Sequence, residues 1–256
     1  MLLGIDHIVI AVSDLETATK NYRDLGFAVV PGGKHPTGTH NSLIAFADGA
    51  YIELLAVYDP TPEALRWTKL EEGGGLIDFC MQTKDLRTDS ALFRGVGINM
   101  SDPAPYSRVR PDGFKLHWML STCLDHNRGV IPFLIEDETP REERVPSKTK
   151  HENQVTGIGT LTIAVDDRDA ARRHYSAILG DKGQTIERAD LGGAGTRFVI
   201  GGHRVDLVAP TRPGSILSDW LRDRGPSPYE ATLITASGKK GALDGEKTTG
   251  ARLALV

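Results

Sequence analysis

A histidine and a glutamate stand out because each lies within an otherwise aliphatic segment. His7 is set among isoleucines and valines near the start of the chain, and Glu53 lies in the run Tyr-Ile-Glu-Leu-Leu at residues 51–55. Burying a carboxylate among aliphatic side chains costs free energy unless it is paired, protonated or bound to a cation. Imidazole and carboxylate together suit Fe, Mn, Ni or Zn, so one hypothesis is a metal site. The alternative is a packed core histidine and a charge at a rim.

The alternation of side chains along a strand decides whether these two groups can meet. Residues two apart share a face, so His7 lies with Val9 and Ala11, and Glu53 lies with Tyr51. If both strands belong to one curved sheet, His7 and Glu53 face its inner side. The pair then forms one pole of a small-molecule site.

The segment between the two strands carries polar groups suited to ligand binding. Residues 32–41 read Gly-Gly-Lys-His-Pro-Thr-Gly-Thr-His-Asn. One interpretation is an ordinary polar turn. The other is a donor-rich lid that brings His40 and Asn41 to the mouth of a pocket. The residue pattern leaves both interpretations open.

A repeated pattern places these segments in a larger architecture. Residues 4–14 (GIDHIVIAVSD) resemble residues 157–167 (GIGTLTIAVDD), and a fainter copy occupies residues 75–85. Each copy predicts a short strand that ends at a polar helix cap. Three strand candidates follow each predicted helix, so the order is strand, helix, strand, strand, strand. A fourth copy beginning near Tyr229 is too short to be complete.

Local signals predict where the elements of the first unit begin and end. Ser13 and Glu16 have the spacing of a capping box, and Gly26 suits the position just beyond the helix. Strands are then predicted at residues 27–30, 42–46 and 50–57. In the back half, Asp166 is predicted to cap the equivalent helix.

The 256 residues suit one large domain or two domains of ordinary size. Residues 138–156 are charged and contain two prolines, which predicts a linker between a front half, 1–137, and a back half, 157–256, with a truncated last unit. Residues 141–144 read Arg-Glu-Glu-Arg, which favours a solvated mixed surface. The predicted fold class is α+β, with repeated βαβββ units that form cupped mixed sheets.

Composition narrows the range of partners. A formal net charge of −4 argues against nucleic acid, because phosphate binding needs clustered Lys and Arg. No stretch approaches the roughly 20 apolar residues of a membrane span. The first residues lack the features of a signal peptide, so a cytoplasmic protein without a membrane partner is expected. Cys80 and Cys123 lie in apolar stretches and are predicted to be buried thiols.

In the segments that contain His7, Glu53 and the polar loop between them, the chain resembles the vicinal oxygen chelate superfamily, and more closely its glyoxalase-like domain proteins. The segments that carry the resemblance are 4–12, 35–41 and 51–55 in the first unit, with 108–113, 116–118 and 132–136 in the second. The close resemblance covers about residues 4–137. It implies that two βαβββ units pair into a cupped sheet, and that first and last strands of both units hold a metal.

Carried over residue by residue, the resemblance implies metal ligands at His7, Glu53, Asp78 and Glu136. Asp78 stands where a ligand is expected on the first strand of the second unit, and a carboxylate is a hard oxygen ligand. Glu53 or Glu136 would also serve as the catalytic base. In the back half Thr160 stands at the position of His7, so that half is expected to be structural or to form a metal-free pocket.

Two functions from different classes remain open. The first is a divalent-metal-dependent lyase, isomerase or dioxygenase that chelates a substrate through neighbouring oxygens. The second is a metal-free protein that sequesters a small molecule, with Tyr51, Trp118 and Phe133 as contact surfaces. His40, Asn41, Tyr51 and Trp118 are the predicted ligand-binding residues. A divalent metal and no cofactor are equally open, and so is a homodimer, because such units pair within a chain or between chains.

Overall fold

The computed structural model describes residues 1–68, 74–125 and 127–256, which form two sheets. The front half contains β1 (Leu2–Ala11), α1 (Leu15–Asp24), β2 (Val30–Lys34), β3 (Thr39–Ala45), β4 (Tyr51–Val57), α2 (Pro62–Thr68), β5 (Gly75–Thr83), α3 (Leu86–Gly95), β6 (Ala104–Val109), β7 (Lys115–Ser121) and β8 (Phe133–Asp137). The short helix α4 (Arg141–Arg144) follows. The back half contains β9 (Val155–Ala164), α5 (Arg168–Leu179), β10 (Gln184–Arg188), β11 (Gly193–Ile200), β12 (His203–Pro210), α6 (Ile216–Arg224), β13 (Ser227–Thr235), β14 (Gly241–Ala242) and β15 (Leu253–Leu255).

The eight strands of the front half close into a barrel in the order β1-β4-β3-β2-β6-β7-β8-β5. Strand β1 runs parallel to β4 and antiparallel to β5, and β2 meets β6 through the pair Lys34 and Val109. The interior of an eight-stranded barrel is filled by side chains or holds one small ligand. Closure therefore makes the predicted cupped sheet an enclosed site.

The back half repeats the first unit as an open sheet of seven strands, in the order β10-β11-β12-β9-β13-β15-β14. Strand β9 takes the place of β1, because it pairs parallel with β12 and antiparallel with β13. Where the sequence predicts a fourth, truncated unit, β13 is followed by the short strands β14 and β15. In the described ranges no helix is both long and apolar enough to cross a membrane.

The two predicted halves share one core. Strands β1 and β9 both contribute aliphatic side chains to a single buried cluster. Two tyrosines cross the boundary in opposite directions: Tyr22 donates to the carbonyl of Thr248 at 3.1 Å, and Tyr175 donates to the carbonyl of Val130 at 2.7 Å. The back sheet therefore packs against the outside of the barrel, where it contacts side chains of β1, the strand that carries His7.

Both equivalent helices are capped one residue later than the sequence predicts. Asp14 rather than Ser13 caps α1, and its carboxylate accepts a hydrogen bond from the backbone amide of Thr17 at 2.7 Å. Asp167 rather than Asp166 caps α5 in the same way at 2.8 Å. A carboxylate at this position satisfies a free amide of the first turn and also interacts favourably with the helix dipole.

The predicted strand at residues 27–30 is wrong except at Val30. Phe27 and Val29 pack into the core before the strand begins, and β2 continues through two glycines instead. Gly33 has φ +142°, and a Cβ there would lie 2.0 Å from the carbonyl oxygen of Val109. A side chain would therefore push β2 away from β6, at the seam that closes the barrel.

The variant Gly33→Ala tests the close approach at this seam. Because the new Cβ meets backbone in a conformation that favours glycine, we expect the free energy of unfolding in urea to fall by at least about 2 kcal/mol. Gly95→Ala is the matched control, since Gly95 lies in α3 with open space around it. Equal stability of the two variants would contradict the close approach.

Candidate active site

The barrel interior contains a cavity that six strands, a loop and two helices line. Its empty volume is about 590 Å³ including open solvent, which suits a small ligand. The lining residues are His7, Val9, His35, Thr37, Thr39, Asn41, Tyr51, Glu53, Leu55, Trp67, Tyr106, Arg108, Trp118, Leu120, Phe133, Ile135 and Arg144.

His7 and Glu53 meet inside this cavity, as the alternation along β1 and β4 predicts. His7 lies opposite Tyr51 in the parallel pairing, and their rings stack with centroids 4.5 Å apart. The Nε2 atom of His7 lies 3.5 Å from Oε2 of Glu53, and both side chains are buried. An acid–base pair therefore faces the interior of the barrel.

A bulge in β1 orients His7. Ile5 and His7 pair with consecutive residues of β5, so Asp6 between them is an extra residue without a partner on that strand. Bulges of this kind redirect side chains. The Oδ1 atom of Asp6 lies 2.7 Å from Nδ1 of His7. Because an ionised carboxylate can only accept, Nδ1 is the donor, and Nε2 is left facing Glu53.

Arg144 keeps the Asp6 carboxylate ionised. This arginine is 3% exposed and donates to Asp6 at 3.0 and 2.8 Å, to the Tyr51 hydroxyl at 2.7 Å, and to Asp137 at 2.9 Å. Burial alone would raise the pKa of Asp6, but Arg144 and the hydrogen bond to His7 hold it well below its usual value. The carboxylate is therefore a fixed acceptor that positions His7.

The sequence predicts a solvent-exposed mixed surface at residues 141–144, and this prediction holds for the two glutamates but not for the two arginines. Glu142 and Glu143 are exposed, but Arg144 is buried and Arg141 donates to Asp6. Helix α4 therefore lies against the barrel with its arginines turned inward. The segment predicted as a linker supplies part of the wall of the site.

Asn41 and Arg108 extend the polar side of the cavity beyond Glu53. Asn41 donates to Oε1 of Glu53 at 2.5 Å and accepts from the Arg108 guanidinium at 3.5 Å. Arg108 also donates to the carbonyl of Arg144 at 2.9 Å. Its Nε atom has no hydrogen-bond partner, and it forms no ion pair among the residues that the structure describes. Burial lowers the pKa of this guanidinium.

The predicted lid contributes Asn41 to the cavity but not His40. Strand β3 begins at Thr39, so residues 39 and 41 face inward and His40 faces outward, with its ring centroid 5.8 Å from that of Tyr58. The histidine that does line the cavity is His35, whose Nδ1 lies 2.8 Å from the Thr39 hydroxyl. Burial lowers the pKa of His35 to about 4, so it is neutral at neutral pH.

Four aromatic side chains form the opposite side of the cavity, and we call them the aromatic wall: Trp67, Tyr106, Trp118 and Phe133. Trp67 meets Phe133 edge-on at 5.3 Å and Tyr106 at 6.2 Å between ring centroids. Trp118 and Tyr51, which the sequence predicts as ligand contacts, both line the cavity. The site therefore has one polar pole and one apolar pole.

Asp78 and Glu136 lie away from this cavity. On β8 the inward residue is Ile135, so Glu136 faces out and accepts the amide of Leu86 at 2.8 Å. Asp78 is buried, and its carboxylate accepts from Arg128 at 3.1 Å. The structure therefore does not bring these two predicted ligands together with His7: Glu136 is out of phase by one residue along β8, and Asp78 is ion-paired with Arg128.

The donor groups that remain do not fit a divalent metal. The cavity lining offers His7, Glu53 and His35 as candidate ligands, but among the described residues these three do not bring their ligand atoms within 4.8 Å of one another, whereas Fe, Mn, Ni and Zn sites use three or more protein ligands that converge. Ligand atoms of Asp6, His7 and Cys80 also lie within 4.8 Å of one another. Asp6 is already bound by arginines, and burial raises the pKa of the Cys80 thiol well above its usual value. That cluster therefore has no free carboxylate, and burial disfavours the ionised form of its thiol.

Sequence reasoning missed Asp6, His35, Arg108 and Arg144. Asp6 carried a usable signal, because it is a second charge in the aliphatic strand of His7 and needs a partner for the same reason as Glu53. Arg108 alternates inward with Tyr106 along β6. No local sequence pattern could indicate that Arg144 contacts Asp6, because the two residues are 138 positions apart in the sequence.

Paired βαβββ units that enclose an inner polar site define the class of glyoxalase-like proteins. The sequence profile of the family described as "Glyoxalase-like domain" matches residues 5–179. The chain belongs to the glyoxalase-like domain family, and its predicted resemblance to the vicinal oxygen chelate superfamily is confirmed.

Several solved structures are similar to this chain over most of its length. A hypothetical protein from Staphylococcus aureus has TM-score 0.75 and 16% identity, and the match covers 100% of this chain and 99% of the other. A mutant of 4-hydroxymandelate synthase from Streptomyces coelicolor has TM-score 0.62 and 15% identity, over 91% and 71% of the two chains. At these identities the likeness establishes the shared fold. A search of curated proteins finds no match.

Replacing Arg144 tests the network that holds His7. Arg144→Met leaves the buried Asp6 without its main counter-ion, so we expect the free energy of unfolding to fall by roughly 3–5 kcal/mol. Arg110→Met is the control, because Arg110 is paired with Asp112 and Glu143 at the protein surface, where ion pairs contribute little. Urea unfolding followed by circular dichroism measures both. Similar losses in the two variants would contradict a special role for Arg144.

The low pKa of His35 predicts a dependence of stability on pH. As the pH falls from 7 to 5 the unfolded chain binds a proton at His35 and the folded chain does not, which removes at most about 2 kcal/mol of stability. In His35→Gln this part of the dependence should disappear, while that of the other histidines remains. Urea unfolding at both pH values gives the difference. An unchanged dependence in the variant would count against a buried neutral His35.

Proposed function

We propose that the protein is a small-molecule enzyme, an isomerase or lyase that moves a proton on a small carbonyl compound held inside the barrel. The observation that supports this most strongly is the approach of His7 Nε2 to Glu53 Oε2 at 3.5 Å in an enclosed cavity. A carboxylate and an imidazole at this separation are the groups that general acid–base catalysis uses most often.

In this mechanism Glu53 is the base. Asn41 holds Oε1 by a hydrogen bond, so the free side of the carboxylate takes a proton from the carbon beside the substrate carbonyl. His7, as an imidazolium, donates from Nε2 to the carbonyl oxygen on which negative charge develops. Asp6 accepts from Nδ1 and stabilises the imidazolium. Return of the proton gives an isomer, and loss of a leaving group gives the product of a lyase.

The surroundings of the pair favour this chemistry. The aromatic wall covers the opposite side of the cavity, so a bound substrate leaves little room for water. Fixed dipoles in a dry site stabilise developing charge more strongly than water does. Since the donors do not fit a divalent metal, the steps use side chains alone. Of the predicted ligand-binding residues, Asn41, Tyr51 and Trp118 keep that role in the proposal.

A second candidate is a metal-free binding protein of the sequestering type. The aromatic wall supports it, because Trp67, Phe133 and Tyr106 are already packed edge to face without a ligand. Such a preformed apolar surface binds ligands without loss of side-chain freedom. In this case the cavity holds its ligand and no bond changes.

Exchange of carbon-bound hydrogen for deuterium separates the two candidates. Hydroxyacetone, pyruvate, 2-oxobutyrate and phenylpyruvate are incubated with the protein in D₂O, and the loss of the proton signal beside the carbonyl is followed by NMR. We expect wild type to accelerate exchange of at least one compound. Because Glu53 takes the proton, Glu53→Gln should lower that rate by about 100-fold or more.

Glu142→Gln serves as the control, since Glu142 is an exposed carboxylate on α4. It should exchange protons at the wild-type rate. Binding of these compounds without any exchange would favour the sequestering protein. Exchange that is as fast in Glu53→Gln as in wild type would rule out Glu53 as the base.

A further inference from the structure

We infer, on the basis of the proposed function, that the substrate is a small monocarboxylic acid whose carboxylate binds Arg108 and whose apolar body lies against the aromatic wall. The cavity has a polar side and an apolar side, and a molecule with one charged end and one apolar end matches both. This assigns the substrate class and a recognition residue to the same cavity in which Glu53 acts.

Arg108 is a buried charge that has no carboxylate within ion-pair distance among the described residues, because Glu53, the negative charge that attracts it, lies on the other side of Asn41. Its side chain is 3% exposed, its Nε atom has no hydrogen-bond partner, and its contact with Asn41 is long at 3.5 Å. Arg144 is equally buried but donates to Asp6 and Asp137. A buried arginine normally has such partners, because removing an ion from water is costly. The charge of Arg108 is therefore available to a ligand.

Asn41 sets the position of this cation relative to the base. One end of its amide donates to Glu53 at 2.5 Å, and the other end accepts from Arg108. The base and the cation therefore lie on either side of a single amide group. In a 2-oxo acid whose carboxylate is bound at Arg108, the adjacent carbonyl and the carbon beyond it, from which the proton is taken, would extend from Arg108 toward Glu53.

The remaining charges favour a single anionic group. Arg144 also lines the cavity, but its charge is matched by Asp6 and Asp137. His35 is neutral at neutral pH, because burial lowers its pKa to about 4. One cation without a direct ion pair suits a monoanion, and Glu53 nearby disfavours a second negative charge. A carboxylate also matches the planar donor geometry of a guanidinium.

The test compares an acid with its uncharged counterpart. Wild type is titrated with phenylacetate, phenylacetamide and phenylphosphonate, and binding is followed by tryptophan fluorescence. Trp67 and Trp118 report on the cavity, while Trp220 in α6 does not line it. We expect phenylacetate to bind at least tenfold more tightly than phenylacetamide, and the dianionic phosphonate to bind more weakly than phenylacetate. Equal affinities for the acid and the amide would overturn the inference.

Variants then assign the preference to Arg108. Arg108→Met removes the charge at similar length, so the preference for the acid should vanish while phenylacetamide still binds. Its melting temperature should stay level or rise, because an unpaired buried charge is removed. Arg110→Met, which alters a surface arginine, should keep the wild-type preference. A preference that survives in Arg108→Met would overturn the assignment. Should that variant not fold, Arg108→Lys, which keeps the charge but lacks Nε, must show a reduced preference.

The outcomes also separate this inference from the proposed function. Glu53→Gln removes the base and leaves Arg108, so it should retain or strengthen the preference for the acid. Tight, Arg108-dependent binding of acids without deuterium exchange would uphold the substrate class and refute the enzyme. Exchange on neutral hydroxyacetone that does not depend on Arg108 would uphold the enzyme and refute the substrate class.

Discussion

The charge of Asp6 is the constraint on which the site depends. A carboxylate with no exposed surface must be compensated within the fold, and Arg144 provides the compensation. To reach Asp6 the chain must return after β8 and lay α4 against the barrel. Arg144 then also contacts Tyr51, whose ring stacks on His7. One buried ion pair thus links the course of the chain to the orientation of the His7 imidazole.

Two buried arginines in the same barrel differ in how fully the described chain compensates their charges. Arg144 bonds to two carboxylates and a hydroxyl, so removing it leaves several buried groups without partners. Arg108 bonds to a carbonyl and, weakly, to an amide, so its charge reduces the stability of the empty protein. In the proposed account a bound ligand supplies the missing partner. The same distinction separates Glu53, in the cavity, from Asp78, which Arg128 neutralises.

The parts of the site that follow from local periodicity could be predicted from the sequence. Alternation along two strands correctly placed His7 and Glu53 on one inner face, and the repeated motif correctly gave the βαβββ units. The errors arise where one residue decides the outcome. A shift of one position along a strand reverses the face, which is why Glu136 and His40 lie outside the cavity.

Other features could not be predicted because their causes are distant in the sequence. The approach of Arg144 to Asp6 joins residues that are 138 positions apart. The glycine-rich β2 has no strand pattern of its own, and it exists because Gly33 lets it approach β6. Closure of the barrel, unlike the existence of its strands, therefore depends on contacts that no single segment encodes.

Metal content tests most directly the claim that side chains alone carry the chemistry. The protein is purified without chelator, incubated with Mn, Fe(II), Ni or Zn, desalted and measured by elemental analysis beside His7→Ala and Glu53→Ala. His7, Glu53 and His35 do not converge closely enough to hold an ion firmly, so we predict well below one equivalent per chain in all three proteins. One equivalent in wild type that is lost in both variants would contradict the account.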